Sequence, residues 1–221
     1  MNYKYVILDF GKVLAGPESG DWNITSKFLE LIDINKIDIE QLKKAKNNYA
    51  PLLSEKICTL EEEYDMFTRY YDGILNEIKY PNYNKKIAEE IAKDRTYCTR
   101  KYVLYDNVIN ELERLKEKYK LILLTDNWPS VIDYLNEYKM SDYFEKVYIS
   151  SIYGCVKKDR VFFDYPINDF NIKEGEALFI DDAEENLEAA KEKGLDVLLM
   201  DRKKQVNDSK YKVINDLMHI W

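Results

Sequence analysis

The chain has 221 residues, of which 46% are hydrophobic, so one large domain, or one domain with a modest insertion, can bury a real core. The formal net charge of −8 disfavours nucleic acid as a partner, because phosphate backbones are bound by basic surfaces. The three cysteines form no C-x-x-C pair, so neither a structural zinc site nor a disulfide framework is suggested. The chain has one histidine, His219, near its end, so Ser-His-Asp, Cys-His and multi-His metal sites are excluded or very strained.

The apolar segments of the chain are short. None approaches the ~18 residues that a membrane span requires. The first apolar run is broken at Asp9, which is too early for the apolar region of a signal peptide. We therefore expect a soluble, cytoplasmic protein with no membrane partner.

The first predicted element is the apolar run Tyr5–Leu8, which Asp9 ends and Gly11 follows. Such a run before a turn residue predicts a strand buried on both faces. Asp9 would then lie at the carboxyl end of the strand, where open α/β sheets place their ligands. The alternative is that Asp9 only forms an Asx turn with its own backbone.

A long helical region follows the first strand. Residues 15–20 are rich in turn formers, and residues 21–97 contain apolar residues at helical spacing with no convincing strand. The longest pattern runs from Leu60 to Ile78, with Tyr64, Phe67 and Tyr71 on one stripe. This region is predicted to be a bundle of about four helices.

Strands and helices alternate from Tyr105 onward. The predicted strands are 121–124, 147–149, 177–180 and 195–200. The predicted helices are 108–119, a helix that begins at Pro129, 161–170, and a helix from 183 that ends at Gly194. Pro166 interrupts or ends the third of these helices. The alternation predicts an α/β fold with a doubly wound parallel sheet. We assign residues 1–15 and 99–221 to the core and residues 16–98 to an inserted helical domain.

Polar residues end three of the predicted strands: Asp9, Thr125-Asp126 and Asp181-Asp182. The carboxyl ends of parallel strands share one sheet edge, so these side chains can converge. An oxygen-rich site of this kind suits Mg²⁺. Thr125 precedes a helix N-terminus, where N–H groups favour a phosphate, and the loop residues Lys157-Lys158 could add positive charge.

Four segments in this order resemble the motifs of the haloacid dehalogenase (HAD) superfamily of aspartate-nucleophile hydrolases. They are Asp9-Phe10-Gly11-Lys12-Val13, Leu124-Thr125-Asp126-Asn127, Gly154-Cys155-Val156-Lys157, and Phe179-Ile180-Asp181-Asp182 continuing through Asn186 to Gly194. The resemblance implies a Rossmann-like core. The helical insertion between the first two motifs resembles the C1 type of cap.

The resemblance also implies catalytic roles. Asp9 would attack phosphorus and form an aspartyl-phosphate. Thr125 and Lys157 would act with it in catalysis, and the phosphate-binding set would be Thr125, Asp126, Asn127 and Lys157. We choose Lys157 over Lys158 because the family spacing is Gly-x-x-Lys.

The same resemblance implies a metal site. Mg²⁺ would be held by Asp9, the backbone carbonyl of Gly11, Asp181 and Asp182. The sequence also predicts that Asp182 is the N-cap of the following helix, with Glu185 as its capping-box partner.

Gly11 departs from the usual pattern, in which a second Asp two residues after the nucleophile protonates the leaving group. The metal site survives this change, but the acid/base role needs a substitute. One is a substrate with a good leaving group, such as a sugar-1-phosphate, acyl phosphate or aryl phosphate. Another is an acid supplied by Glu18, Asp21 or Lys12.

Three functions remain open from the sequence. The first is a Mg²⁺-dependent phosphatase for a small phosphorylated metabolite, similar to sugar-1-phosphate phosphatases with glycine at this position. The second is a 2-haloacid dehalogenase with Asp9 as nucleophile, which needs no metal. The third is a non-catalytic binding protein on the HAD scaffold, motivated by Gly11.

Overall fold

A computed structural model describes residues 3–220 of the chain as a succession of short strands and helices. The strands are β1 (Tyr5–Leu8), β2 (Ala15–Pro17), β3 (Tyr102–Leu104), β4 (Lys120–Thr125), β5 (Phe144–Ile149), β6 (Ala177–Asp181), β7 (Asp196–Met200) and β8 (Val213–Ile214). The helices are α1 (Ser26–Leu31), α2 (Ile39–Tyr49), α3 (Leu60–Glu77), α4 (Lys85–Tyr97), α5 (Val108–Lys116), α6 (Val131–Glu137), α7 (Ser150–Tyr153), α8 (Val161–Phe170) and α9 (Glu184–Glu192).

Six of the strands form one parallel sheet in the order β5-β4-β1-β6-β7-β8. The chain first builds outward from β1 to β5 and then returns to add β6 on the other side of β1. This doubly wound order has its switch point between β1 and β6, where such sheets bind ligands at their carboxyl ends. The predicted fold class is confirmed.

The sheet register brings the strand ends to one level. Leu8 pairs with Leu123 of β4 and with Ile180 of β6, so Asp9 and Asp181 follow at the same height. Apolar side chains on one face of the sheet, among them Ile7, Ile122 and Phe179, form a buried cluster, and their neighbours Val6 and Leu8 on the other face are buried as well. The apolar runs therefore set the register, and the register sets the positions of the carboxylates.

The described chain divides into two compact units. The core unit comprises residues 3–16, 104–127 and 135–220, and the helical unit comprises Pro17–Val103 and Trp128–Tyr134. The predicted domain ranges stay predictions, and the compact units differ from them: residue 16 groups with the core unit and residues 99–103 group with the helical unit. The segment Trp128–Tyr134, which we assigned to the core from the sequence, groups with the helical unit.

The helical unit contains α1 to α4 around its own apolar cluster. Its longest helix, α3, begins with a capping box in which the Thr59 side chain accepts from Glu62 N–H and the Glu62 side chain accepts from Thr59 N–H. Phe67, Tyr71 and Leu75 are buried in the cluster, as their helical spacing predicts. Within residues 3–220, no helix combines the length and the apolar character that a membrane span needs.

Local details differ from the sequence predictions. α8 continues through Pro166 to Phe170, because Phe162, Phe163 and Pro166 are buried and their burial offsets the lost helix hydrogen bond. α6 begins at Val131 rather than at Pro129. β2, β3 and β8, of two or three residues each, are too short to produce a periodic pattern.

Candidate active site

Asp9, Lys157 and Asp181 form a buried ionic group at the switch point of the sheet. Lys157 Nζ lies 2.7 Å from Asp9 Oδ1 and 2.6 Å from Asp181 Oδ2. The three residues are 6%, 1% and 0% exposed. Charges are buried to this extent only when they are paired, so the lysine lets two carboxylates remain together out of water.

Asp181 is fixed by further hydrogen bonds. Ala183 N donates to its Oδ1 over 2.8 Å, and Asn186 Nδ2 donates to Oδ1 and Oδ2 over 3.1 and 3.2 Å. The sequence assigned no role to Asn186. Its place one turn into the helix after Asp181 was the available signal, because that spacing lets its amide reach back to the strand end.

The predicted N-cap role of Asp182 is wrong. Ala183 is the N-cap of α9 and makes no side-chain cap hydrogen bond. The Asp182 carboxylate instead pairs with Lys12, whose Nζ lies 2.7 Å from Oδ2. Lys12 follows Gly11 with a φ of 54°, and its backbone N–H donates to Ala15 in a tight turn that aims its side chain at Asp182.

Three carboxylates lie close enough to share one cation. Asp9, Asp181 and Asp182 each offer one oxygen, and these oxygens lie within 4.8 Å of one another. Carboxylate oxygens are the ligands preferred by hard divalent cations such as Mg²⁺. Gly11 is half-buried in the turn after β1, two residues from Asp9, and its carbonyl as a ligand stays a prediction.

The electrostatics of Asp9 are those of a crowded acidic site. Burial, opposed by the positive charge of Lys157 and reinforced by the negative charge of Asp181, raises the pKa of Asp9 to a net value of about 7. The pKa of Lys157 is raised, because the charges of Asp181 and Asp9 outweigh the effect of its burial. Lys157 is therefore held as an ammonium ion, while Asp9 carries an uncompensated part of its desolvation cost.

Thr125, Asp126 and Asn127 follow the apolar part of β4 in different environments. Thr125 is buried as the last residue of the strand, level with Ile149 of β5. Asp126 Oδ1 accepts from Lys157 N–H over 3.1 Å, so this carboxylate fixes the lysine loop. Asn127 N–H donates to Ser150 Oγ over 3.1 Å, so that donor is already used within the fold.

The structure distinguishes the two loop lysines. Lys157 is buried against Asp9 and Asp181, whereas Lys158 is exposed. Lys157 is the residue that the Gly-x-x-Lys spacing selects.

The three acids considered as substitutes for a side chain at position 11 all have partners. Lys12 pairs with Asp182 in the core unit. In the helical unit, Asp21 accepts from the N–H groups of residues 23 and 24 and lies 2.9 Å from Lys46, and Glu18 accepts from Ser26 Oγ.

Comparison with known proteins bears on this arrangement. An 89-residue stretch, 37% of the chain, is 32% identical to a D-ribitol-5-phosphate phosphatase of Bacteroides thetaiotaomicron and spans 43% of that relative's length. A HAD family enzyme of the same species, solved with magnesium and inorganic phosphate, superposes with a TM-score of 0.65 at 21% identity over 93% of this chain and 98% of that one. A 2-haloacid dehalogenase of Pseudomonas syringae pv. Tomato DC3000 superposes with a TM-score of 0.66 at 15% identity over 97% of this chain and 95% of that one.

The two structural similarities establish the fold alone, whereas a match to a sequence model of a protein family establishes the family. The model of haloacid dehalogenase-like hydrolases matches residues 6–200, which run from β1 to the end of β7 and include every carboxylate and lysine of the site. This match, together with the doubly wound sheet, shows that the chain belongs to the haloacid dehalogenase-like hydrolase family.

Proposed function

We propose that this protein is a Mg²⁺-dependent phosphatase that hydrolyses a small phosphorylated metabolite through an aspartyl-phosphate on Asp9. The observation that carries the proposal is the group of Asp9, Asp181 and Asp182 around the buried ammonium of Lys157. Phosphoryl transfer depends mostly on positioning and on charge neutralisation, and this group offers both.

The donor set fits the metal. Asp9, Asp181 and Asp182 would hold Mg²⁺ together with the carbonyl of Gly11. Mg²⁺ prefers oxygen ligands and would keep waters and substrate phosphate in its remaining positions. When bound, the ion supplies positive charge that stabilises the phosphoryl oxygens during transfer.

The residues of the chain carry the steps. A carboxylate oxygen of Asp9 attacks phosphorus, and the bond to the leaving oxygen breaks with its electron pair. The Lys157 ammonium balances the charge of the phosphoryl group, and the Thr125 hydroxyl donates a hydrogen bond to a phosphoryl oxygen. Water then attacks phosphorus, the bond between phosphorus and the Asp9 oxygen breaks, and inorganic phosphate and the Asp9 carboxylate result. The leaving oxygen takes a proton from solvent in the first step, and the attacking water returns one in the second.

Gly11 narrows the substrate class. Glycine supplies no proton to the leaving oxygen, and a positioned proton donor is typically worth ~10²–10⁴ in rate. Substrates whose leaving groups need little protonation are favoured, and we place sugar-1-phosphates, acyl phosphates and aryl phosphates first. The partial match to a polyol-phosphate phosphatase supports a phosphorylated carbohydrate as the physiological class.

The test is phosphate release from p-nitrophenyl phosphate and from a panel of sugar and polyol phosphates. We expect turnover with Mg²⁺, loss with EDTA, and loss in Asp9→Asn and Lys157→Met. Lys158→Met is the matched control, because it removes a neighbouring exposed lysine and should retain activity. Turnover that survives Asp9→Asn or EDTA refutes the mechanism.

Two other outcomes would select another function. Halide release from chloroacetate in EDTA, lost in Asp9→Asn, would identify a metal-independent dehalogenase. Mg²⁺-dependent binding of orthovanadate without turnover of any substrate would identify a binding protein.

A further inference from the structure

The helical unit contains a buried ionic cluster that takes no part in the chemistry above. Glu63 on α3, Arg95 on α4 and Lys101 are 0%, 1% and 8% exposed. Burying charge of this kind in a small helical unit is unfavourable unless each group is paired. The partners of these groups therefore indicate what the cluster does.

The partner of Glu63 is Ser130, in the segment Trp128–Tyr134. Ser130 N–H donates to Glu63 Oε2 over 2.8 Å, and Ser130 Oγ donates to Glu63 Oε1 over 2.6 Å. One carboxylate thus binds both the backbone and the side chain of one residue. Lys101 Nζ donates to the same Ser130 Oγ over 2.7 Å, and also to the carbonyls of Arg95 and Thr96.

Arg95 holds a second residue of the same segment. Its guanidinium lies 5.2 Å from the Trp128 ring and 4.5 Å from the Phe67 ring, and the two rings are 5.1 Å apart. Its Nη1 is 3.9 Å from Glu63 Oε1. Trp128 and Ser130 are therefore both fixed by side chains from α3, from α4 and from Lys101.

The cluster is costly to maintain. Burial and the charge of Arg95 together lower the pKa of Lys101 to about 7, against the opposing charge of Glu63. Replacing a buried ion group with apolar side chains is often neutral or stabilising, so stability alone does not explain a buried cluster of one carboxylate, one guanidinium and one lysine. A need to hold the segment Trp128–Tyr134 in a fixed geometry explains the cluster.

The segment is joined directly to the proposed phosphate-binding residues, since Asn127 precedes Trp128 in the chain. We propose that Glu63 and Lys101 are positioning residues for phosphate binding, because they fix Ser130 and thereby the backbone that carries Thr125. This inference rests on the proposed function. It adds residues that lie more than 20 positions from any HAD motif of the chain.

The test compares Ser130→Ala, Ser130→Thr and Glu63→Gln with the wild-type protein. Three quantities are measured below the unfolding temperature: KM for p-nitrophenyl phosphate, the inhibition constant of inorganic phosphate, and the Mg²⁺ dissociation constant from calorimetry. We expect the first two to rise about tenfold in Ser130→Ala, since small misplacements of binding groups are costly. Mg²⁺ affinity should stay within twofold, because the metal ligands are not attached to this segment.

Ser130→Thr retains the hydroxyl and should recover most of the phosphate affinity. Thr68→Val is the matched control: Thr68 lies on α3, is 7% exposed, and its Oγ1 has no hydrogen-bond partner within residues 3–220. That variant should resemble the wild type. If Glu63→Gln does not fold, Ser130→Ala and Ser130→Thr still decide the outcome.

Two results overturn the inference in distinguishable ways. If Ser130→Ala lowers the melting temperature and leaves KM and phosphate inhibition within twofold, the cluster is purely structural and the proposed function stands. If the wild-type protein neither hydrolyses p-nitrophenyl phosphate nor binds phosphate with Mg²⁺, both proposals fail together.

Discussion

Asp9→Asn should inactivate the protein and, without metal, make it more stable. Asparagine preserves the shape of the side chain and removes a carboxylate that burial keeps from ionising freely. Lys157 retains Asp181 as its partner at 2.6 Å, so the substitution leaves no unpaired ammonium. In the proposed mechanism, the wild-type residue therefore costs stability so that a nucleophile is available, a trade-off that is common in active sites.

The magnitude follows from the pKa of Asp9. The pKa rises from 3.8 to about 7 on folding, about three pH units, and each unit corresponds to about 1.4 kcal/mol. The folded protein binds the Asp9 proton more tightly than the unfolded chain does, so this residue removes stability as the pH rises from 4 to 7. The advantage of Asp9→Asn should be absent near pH 3.8, grow to at most about 4 kcal/mol near pH 7, and stay constant above it.

The assay is urea unfolding of both proteins in EDTA at several pH values between 4.5 and 8.5. Carboxylates remote from position 9 titrate equally in the two proteins and cancel in the difference, so the pH dependence reports the buried group around Asp9. Added Mg²⁺ should stabilise the wild type more than the variant and so reduce or reverse the difference. An Asp9→Asn protein that is less stable at pH 8 in EDTA, or a difference that does not change with pH, would refute this reasoning.

Three further predictions concern other parts of the core unit. Lys157→Met leaves Asp9 and Asp181 buried without a counter-charge, so we expect a loss of about 3–5 kcal/mol in urea unfolding and a fall in kcat of at least about 10²; stability equal to wild type in EDTA would contradict this. Asn186→Ala removes two hydrogen bonds to Asp181 and should weaken Mg²⁺ binding about tenfold by calorimetry, with little change in melting temperature in EDTA. Glu111→Gln breaks the buried bidentate pair with Arg202, at 3.0 and 2.7 Å, and should cost about 3 kcal/mol in urea unfolding; a cost below about 1 kcal/mol would show that the pair is dispensable.

The architecture was predictable because its signal is strong and local. Each central strand is an uninterrupted apolar run that a polar residue ends, as at Asp9 and Asp181. Burial on both faces and the parallel order then bring these ends to one sheet edge without further information. The resemblance to the HAD superfamily, which the same residues carry, is confirmed by the match over residues 6–200.

The pairing of side chains was not predictable, because hydrophobic periodicity carries no record of it. Glu63 lies in the first turn of α3, where an acidic residue is expected to face water and favour the helix dipole. Its partner Ser130 is 67 residues away in sequence, and only the tertiary structure brings the two together. Lys12 and Asp182 are 170 residues apart, and they too are brought together only by the tertiary structure.

The charges around Asp9 indicate why a cation matters to this site. Four carboxylates, those of Asp9, Asp126, Asp181 and Asp182, face two ammonium groups, Lys157 and Lys12. With all six ionised the group carries two net negative charges, which repel a phosphate dianion. A divalent cation would cancel that excess, so in the proposed phosphatase it would be needed for phosphate to enter as well as for the chemistry. Gly11 affects the same net charge, because an aspartate at this position would add a fifth carboxylate to a group that has only two lysines to offset it.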